Sequence, residues 1–378
     1  MVILLCIVAI IQIQHLYLTH RQSLAAKYSP TTFSLDSDEP YPRFRRPDDE
    51  DSQFQDELLA NRASWRVLGA GWEGKVFTYK DYVIKTFTPG RSPFRNCAPG
   101  GAGDRWPTEI PASLQFGAAS PNDTATGFLP VKAYFKVSPS PVEPEEWHLV
   151  TPLLRGGNLN TLSQALRKNP IPMTYRDIDA AHRPAFNRLL ETLQNLHSAG
   201  YCHDDIKPAN IFIQSSSHWI LGDLGNLRHI SHPYHSSRLW KDNDQLEDCR
   251  ANDVLRALKS YIKFIQASVH DEVAFNAALF RGEEPLSRLL WWTMADERNM
   301  SAEELRRRSG IEAPRSPARD EPTDFKSGGH MLGTLFPRRI VVKYAADRVL
   351  RTRMGERVAR WWAMVWLFDV PVEEFCGV

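Results

Sequence analysis

Asp205, Lys207, Asn210 and Asp223 are the side chains whose types and spacing could do chemistry in this 378-residue chain. They lie in the run His203-Asp204-Asp205-Ile206-Lys207-Pro208-Ala209-Asn210, which a short apolar stretch separates from Asp223-Leu224-Gly225. These are the parts a phosphoryl transfer requires. Asp205 would accept the proton of an attacking hydroxyl, Lys207 would steady the moving phosphoryl group, and Asn210 with Asp223 would hold Mg²⁺. A lone Asp or Asn in a loop is ordinarily a turn residue. Turn formation does not account for an ordered set with this spacing.

A glycine-rich stretch lies upstream of this set and could cradle a nucleotide's phosphates. Leu68-Gly69-Ala70-Gly71-Trp72-Glu73-Gly74-Lys75-Val76 has the required form, because glycines let the backbone turn tightly and bring bare N–H groups to phosphate oxygens. Three glycines alone are a weak signal, but their position strengthens it. Trp65, Val67 and Leu68 before them and Val76, Phe77 and Tyr79 after them read as strand, turn and strand. Tyr82-Val83-Ile84-Lys85-Thr86-Phe87 then reads as a third strand with a lone lysine.

In this order the motifs resemble those of the eukaryotic protein kinase superfamily. The resemblance implies an α+β, bilobal protein kinase-like fold, with a small antiparallel-sheet lobe and a larger helical lobe. It also implies ATP and Mg²⁺ between the lobes. Gly69, Gly71 and Gly74 would cover the phosphates, Val76 and Val83 would lie against the adenine, and Lys85 would pair with the α- and β-phosphates. Glu109 is expected to pair with Lys85, since only Asp104 and Glu109 are acidic between Lys85 and Pro121. Pro111 should keep any helix there short or kinked. Trp147 to Leu159 is similar to the kinase hinge, with Thr151 as gatekeeper. Pro152 would offer adenine its carbonyl, and Leu154 both an N–H and a C=O. Lys207 is similar to the serine/threonine branch, which implies transfer of the ATP γ-phosphate to a protein hydroxyl. Two alternatives stand beside it: a nucleotide-binding pseudokinase acting as a membrane-tethered scaffold, and a small-molecule kinase of the same fold.

The positioning elements are legible as patterns. Phe186, Leu189, Leu190, Leu193 and Leu196 recur at helical spacing and stop at Gly200, delivering the chain to the loop. Ile211-Phe212-Ile213 and Trp219-Ile220-Leu221 read as a hairpin between the two carboxylate motifs. Asn252-Asp253 reads as the start of another helix, with Asp253 either holding the catalytic loop or only capping. Three departures from the family stand out. Asp204 occupies the place of the phosphate-reading arginine, which argues against control by activation-loop phosphorylation. The segment from Gly225 to Asp253 is short and lacks an Ala-Pro-Glu signature. Beyond about residue 296 the chain leaves the family pattern.

Five regions follow: an apolar anchor (1–21), an acidic disordered linker (22–61), the kinase-like domain (62–296), a second linker (297–330), and a basic, tryptophan-rich helical extension (331–378). That extension would either lie on an anionic membrane or pack on the large lobe. A formal charge of +1 argues against a general polyanion binder, so no nucleic-acid partner is expected. Five scattered cysteines read as reduced cytosolic thiols, with Cys202 merely packed. Residues 2–18 are apolar enough for a single membrane span, with Arg21 and Lys27 after the run and no charged side chain before it. The expectation is a membrane-anchored protein with a cytosolic kinase domain. A secreted or lumenal domain is the alternative, in which the sequons at Asn122 and Asn299 would become meaningful.

Overall fold

A computed structural model describes residues 2–33, 49–71, 74–88, 96–99, 105–117, 127–138, 142 and 144–312, together with positions 343, 346, 349 and 350. Helices α1 (Val2–Lys27) and α2 (Asp49–Ala60) precede strands β1 (Arg66–Ala70), β2 (Gly74–Tyr79) and β3 (Tyr82–Phe87). The short strands β4 (Cys97–Pro99) and β5 (Arg105–Pro107) lead into α3 (Glu109–Gly117), then β6 (Ala133–Val137) and β7 (Glu146–Pro152). The first three strands pair antiparallel with the last two in the order β1-β2-β3-β7-β6.

Strand alternation sorts the side chains of this sheet onto two faces. Ile84 and Val150 point to one face, where Leu58 of α2 and Trp65 cover them. Phe87, Trp147 and Leu149 point to the other, against Trp106 and Ile110 beside α3. The acidic 22–61 stretch is therefore not a disordered linker throughout. Phe54, Leu58 and Leu59 form an apolar stripe on α2 and seat it on the sheet, while Asp56 and Glu57 are exposed. Residues 23–33 are packed as well; residues 34–48 lie outside the described set.

The large lobe begins with α4 (Leu159–Arg167) and α5 (Tyr175–Ser198). Thr174 and Asp177 open α5 with a reciprocal capping box. Strand β8 (Tyr201–Cys202), the hairpin β9 (Ile211–Ser215) and β10 (His218–Leu221), and β11 (Arg228–His229) carry the loops of interest. Helices α6 (Arg238–Asp242), α7 (Cys249–Ser268), α8 (Glu272–Arg281), α9 (Pro285–Ala295) and α10 (Ala302–Ile311) complete the lobe. Its core joins Phe186, Leu189, Leu190 and Leu193 of α5 to Leu258, Tyr261, Ile262 and Ile265 of α7. Contrary to the linker expected over 297–330, Ala302 and Leu305 of α10 are buried in this core. Their stripe is narrow and sits among arginines and glutamates, which hides it in the composition. Ala346 and Leu350, one helical turn apart, are fully buried, Leu350 in the same core, in line with packing on the large lobe. Trp361 to Phe368 lie outside the described residues.

Candidate active site

The side chains expected to do chemistry converge from the two lobes. On β3, Lys85 stands on the face of Val83 and makes ion pairs with Glu109 and, at 3.1 Å, with Asp223. Glu109 is the first residue of α3 and is buried, so Pro111 falls in the helix's first turn, where a missing N–H costs little. Of the glycines, Gly74 is fixed by packing: a Cβ there would meet the Thr86 carbonyl oxygen at 1.6 Å. A Cβ on Gly69 or Gly71 would meet nothing within 4 Å, so space is open above the loop where phosphates would pass. Trp72 and Glu73, at the tip, lie outside the described residues. On the hinge side Val83 pairs with the buried Thr151, and Tyr82 with Pro152. The Leu153 N–H is spent on the Asp81 carbonyl at 2.8 Å, while the Leu154 carbonyl accepts from the Gly157 N–H at 3.0 Å.

The catalytic loop hangs from α7. Asp253, fully buried in that helix, accepts from the backbone N–H groups of His203 at 2.6 Å and Asp204 at 3.0 Å. It is a loop anchor and not the cap, which is Asp248. His203 reaches the Gly222 carbonyl through Nε2 at 3.2 Å, tying the loop to the residue before Asp223. The Asp205 Oδ2 accepts from Lys207 Nζ at 2.6 Å and from Asn210 Nδ2 at 3.2 Å. An Asn that donates through Nδ2 in this way presents Oδ1 to a cation. The Gly222 N–H donates to the Asn210 carbonyl at 3.0 Å, bringing Asn210 and Asp223 side by side. Asp223 adopts φ 57° and ψ 59°, a left-handed conformation unfavourable to a non-glycine residue and typical of functional positions. The Lys85 ammonium, with Lys207 further off, holds its carboxyl below the usual carboxylate range against the opposing effect of burial. A carboxylate whose ionised form is favoured in this way, beside an amide oxygen, is a donor set suited to Mg²⁺.

A second network was not anticipated from the sequence. Burial alone would raise the Asp204 carboxyl, but His235 at 2.9 Å and Arg228 at 3.0 Å, with Arg256 nearby, hold it well below its ordinary range. Arg228 also donates to the Asn226 carbonyl at 3.0 Å, to Asn96 Oδ1 at 2.7 Å and to the Lys27 carbonyl at 3.4 Å. Asn96 in turn donates to the Gly225 carbonyl at 2.9 Å. One buried guanidinium therefore joins the loop at Asp204, the segment after Asp223, Asn96 just before β4 and the end of α1. The available signal was the unlikelihood of an acidic residue beside the catalytic Asp without a cation to match it.

The protein kinase domain family matches residues 135–257, a span running from β6 through the hinge, catalytic loop and Asp223 into α7. This chain carries a eukaryotic protein kinase-like domain. Its fold is the α+β bilobal one, with the antiparallel sheet in the N-terminal part and the helices largely beyond it. Similar proteins include the eukaryotic translation initiation factor 2-alpha kinase PK4 of Plasmodium falciparum, 29% identical over 124 residues, 30% of this chain and 11% of that protein. Cyclin-dependent kinase 20 of Danio rerio is 26% identical over 135 residues, 35% of this chain and 38% of its own. The serine/threonine-protein kinase UCNL of Arabidopsis thaliana is 27% identical over 179 residues, 44% of this chain and 38% of its own. The chain thus spans well under half the length of these relatives.

The cysteines of the kinase-like domain overturn the expectation of reduced thiols. Cys202, immediately before the catalytic loop, forms a disulfide with Cys249 at the start of α7, 47 residues away, with a Cα–Cα distance of 6.1 Å. Cys97 is disulfide-bonded as well, and Cys6 is an exposed free thiol. The meeting of Cys202 and Cys249 depends on β8 running past the N-terminus of α7, a tertiary event with no local spacing to announce it.

Proposed function

We propose that this chain is an ATP- and Mg²⁺-dependent protein serine/threonine kinase. The observation that carries the reading is the Asp205 carboxylate, held by Lys207 and Asn210 at one end of a site whose other end is the Lys85–Glu109 and Lys85–Asp223 pairs. ATP would supply the γ-phosphoryl group, and Mg²⁺ would offset the charge on its phosphates. Asp205 takes the proton of a serine or threonine hydroxyl as its oxygen bonds to the γ-phosphorus, while the bond from that phosphorus to the β-γ bridging oxygen breaks and ADP leaves. Lys207, paired with Asp205 at 2.6 Å, would supply positive charge to the phosphoryl oxygens as charge develops on them. Asn210 and Asp223 would hold the cation, Lys85 the inner phosphates, and Gly69, Gly71 and Gly74 would lie over them. Val76 and Val83 would close on the adenine, with the Pro152 carbonyl and the Leu154 backbone at its edge. The buried, paired Glu109 supports activity over a scaffold role.

We further propose that α1 is a retained membrane anchor and that the domain matures in an oxidising compartment. Among the described residues α1 is one helix long and apolar enough to cross a membrane. Cleavage near Ala25-Ala26 would cut through packed structure, since Ser23, Leu24, Lys27 and Tyr28 are all buried. Disulfides do not persist where glutathione and thioredoxin keep thiols reduced. That chemistry outweighs a topological bias resting on Arg21 and Lys27, and it favours the lumenal or secreted alternative over a cytosolic domain. The test is transfer of labelled γ-phosphate from ATP to serine/threonine peptide arrays by the oxidised full chain. Transfer by wild type and none by Asp205→Asn supports the reading; equal labelling by the two would sink it.

A further inference from the structure

The stretch Ser23–Phe33, comprising the last turn of α1 and the chain just beyond it, is wrapped onto the parts that flank the catalytic loop. Leu24 and Tyr28 share one buried cluster with the Cys202–Cys249 disulfide and with Tyr234, Leu239 and Trp240. Those last three residues belong to the segment after Asp223, in the 3₁₀ turn Pro233–Ser236 and in α6. Polar contacts follow the same path. The Leu239 N–H donates to Ser23 Oγ at 3.4 Å, and His232 Nε2 donates to the Ser29 carbonyl at 3.0 Å. Burial, with Arg228 adding to it, lowers His232 to about 3, so the ring is neutral, and its Nδ1 accepts from the Tyr234 N–H at 3.3 Å. Arg228 reaches the Lys27 carbonyl, the Lys27 ammonium lies 5.3 Å from the Tyr234 ring centre, and Tyr201 donates to the Thr32 carbonyl at 3.0 Å. Phe33 stacks on Tyr201, the residue before Cys202, at 5.4 Å.

We propose that Ser23–Phe33 is a built-in positioning element that holds the segment 231–242 in its working place, making phosphotransfer depend on the end of the anchor helix within the same chain. The supported elements cannot stand alone: α6 has five residues and the 3₁₀ turn four, far below the length at which a helix persists in water. Their apolar side chains find cover in Leu24 and Tyr28, the Leu239 N–H finds a partner in Ser23 Oγ, and the His232 imidazole finds one in Ser29. Arg228 is already paired with the Asp204 carboxylate, so no phosphate is needed to engage it. The same Arg228 touches the anchor's last residue, which links the brace directly to the catalytic loop. The inference about turnover rests on the kinase reading; the inference about position does not.

The experiment uses the full chain in detergent micelles, comparing wild type with Leu24→Ala, Tyr28→Leu and the milder Ser23→Ala, which removes the acceptor of the Leu239 N–H, and with Ile10→Ala/Ile11→Ala on the exposed apolar face as control. Amide hydrogen exchange in 231–242 should quicken roughly tenfold in the three variants, with α5 and α7 unchanged. The kcat/KM for a peptide acceptor should fall roughly ten- to a hundredfold while the Kd for ATP stays within about twofold, as expected when a displaced segment misplaces the acceptor. The control should match wild type in both readouts. Unchanged exchange in 231–242, or exchange rising equally in α5 and α7, would overturn the proposal. A wild type without turnover would fail the kinase reading alone, since the exchange measurement still decides whether the brace exists. If Tyr28→Leu does not fold, Leu24→Ala and Ser23→Ala carry the same test.

Discussion

Breaking the Cys202–Cys249 bond should destabilise the large lobe by about 4 kcal/mol. The residues are 47 apart, and the chain-entropy cost of closing a loop of that length is about 14 cal/mol/K, or about 4 kcal/mol at 25 °C. The cross-link ties the entry of the catalytic loop to the helix whose Asp253 holds that loop, so its loss falls on the site and not on a remote corner. The assay is urea unfolding of wild type and of Cys202→Ala/Cys249→Ala, each with and without reductant. Because Cys97 is also bonded, reductant acts on more than one cross-link, and the difference between the two proteins isolates this one. Wild type should lose about 4 kcal/mol more than the variant on reduction. An equal loss in both would refute the argument, showing either that the bond does not form in the protein or that the unfolded chain is already constrained without it.

The remaining expectations are more local. Asp205→Asn should leave nucleotide binding intact and cut turnover by about two to four orders of magnitude, whereas Asp223→Asn should weaken metal-dependent ATP binding; calorimetry and rate measurements separate the two. Phosphatase treatment should leave activity unchanged, since the Asp204 carboxylate already occupies Arg228, and a large loss would show that a phosphate takes part. Burial holds His148 neutral down to about 4. Unfolded imidazoles protonate near pH 6.5 while the folded one does not, so its stabilising effect is complete above that pH and declines below it. The decline should be about 1.4 kcal/mol per pH unit toward about pH 4. His148→Phe should flatten that slope in urea midpoints, and an unaltered slope would assign the effect elsewhere. Asn299 is exposed in the turn before α10; an endoglycosidase-sensitive mass shift lost in Asn299→Gln would support a lumenal domain, and protease access to the domain from the cytosolic side would reverse it.

The candidate site, as a set of side chains brought together, was legible where its residues fall within a short span. Asp205, Lys207, Asn210 and Asp223 fall inside 203–225, and Lys85 follows its glycines directly, so sequence order carried nearly all the information. Glu109 was found by elimination, because few acids were available. What escaped depends on distant pairing. Arg228 acquires its role only when Asn96 and Lys27 are brought to it, 132 and 201 residues away in the chain. Cys202 and Cys249 carry no local spacing that separates a bonded pair from two buried thiols. In the 22–61 stretch the carboxylates dominate the composition, so three apolar residues of α2 and the Leu24–Tyr28 pair were submerged in an acidic average. Composition reports the mean of a segment, whereas docking needs only a few residues on one face.

The seating of α1 also fixes how far this site can reach. Leu18 is the last strongly exposed apolar residue of the helix, and nine residues of helical rise carry the chain about 14 Å to Lys27. From there a single guanidinium spans to Asp204, with 3.4 Å on one side and 3.0 Å on the other. The catalytic loop would then stand within roughly 25 Å of the hydrocarbon edge when α1 is inserted. On the anchored kinase reading proposed above, a site on so short a leash would work in a thin shell over the bilayer. Hydroxyls on membrane-bound acceptors that enter that shell meet it at the raised effective concentration of a shared surface, while a bulky soluble acceptor must present its hydroxyl on a protruding segment to be served at all.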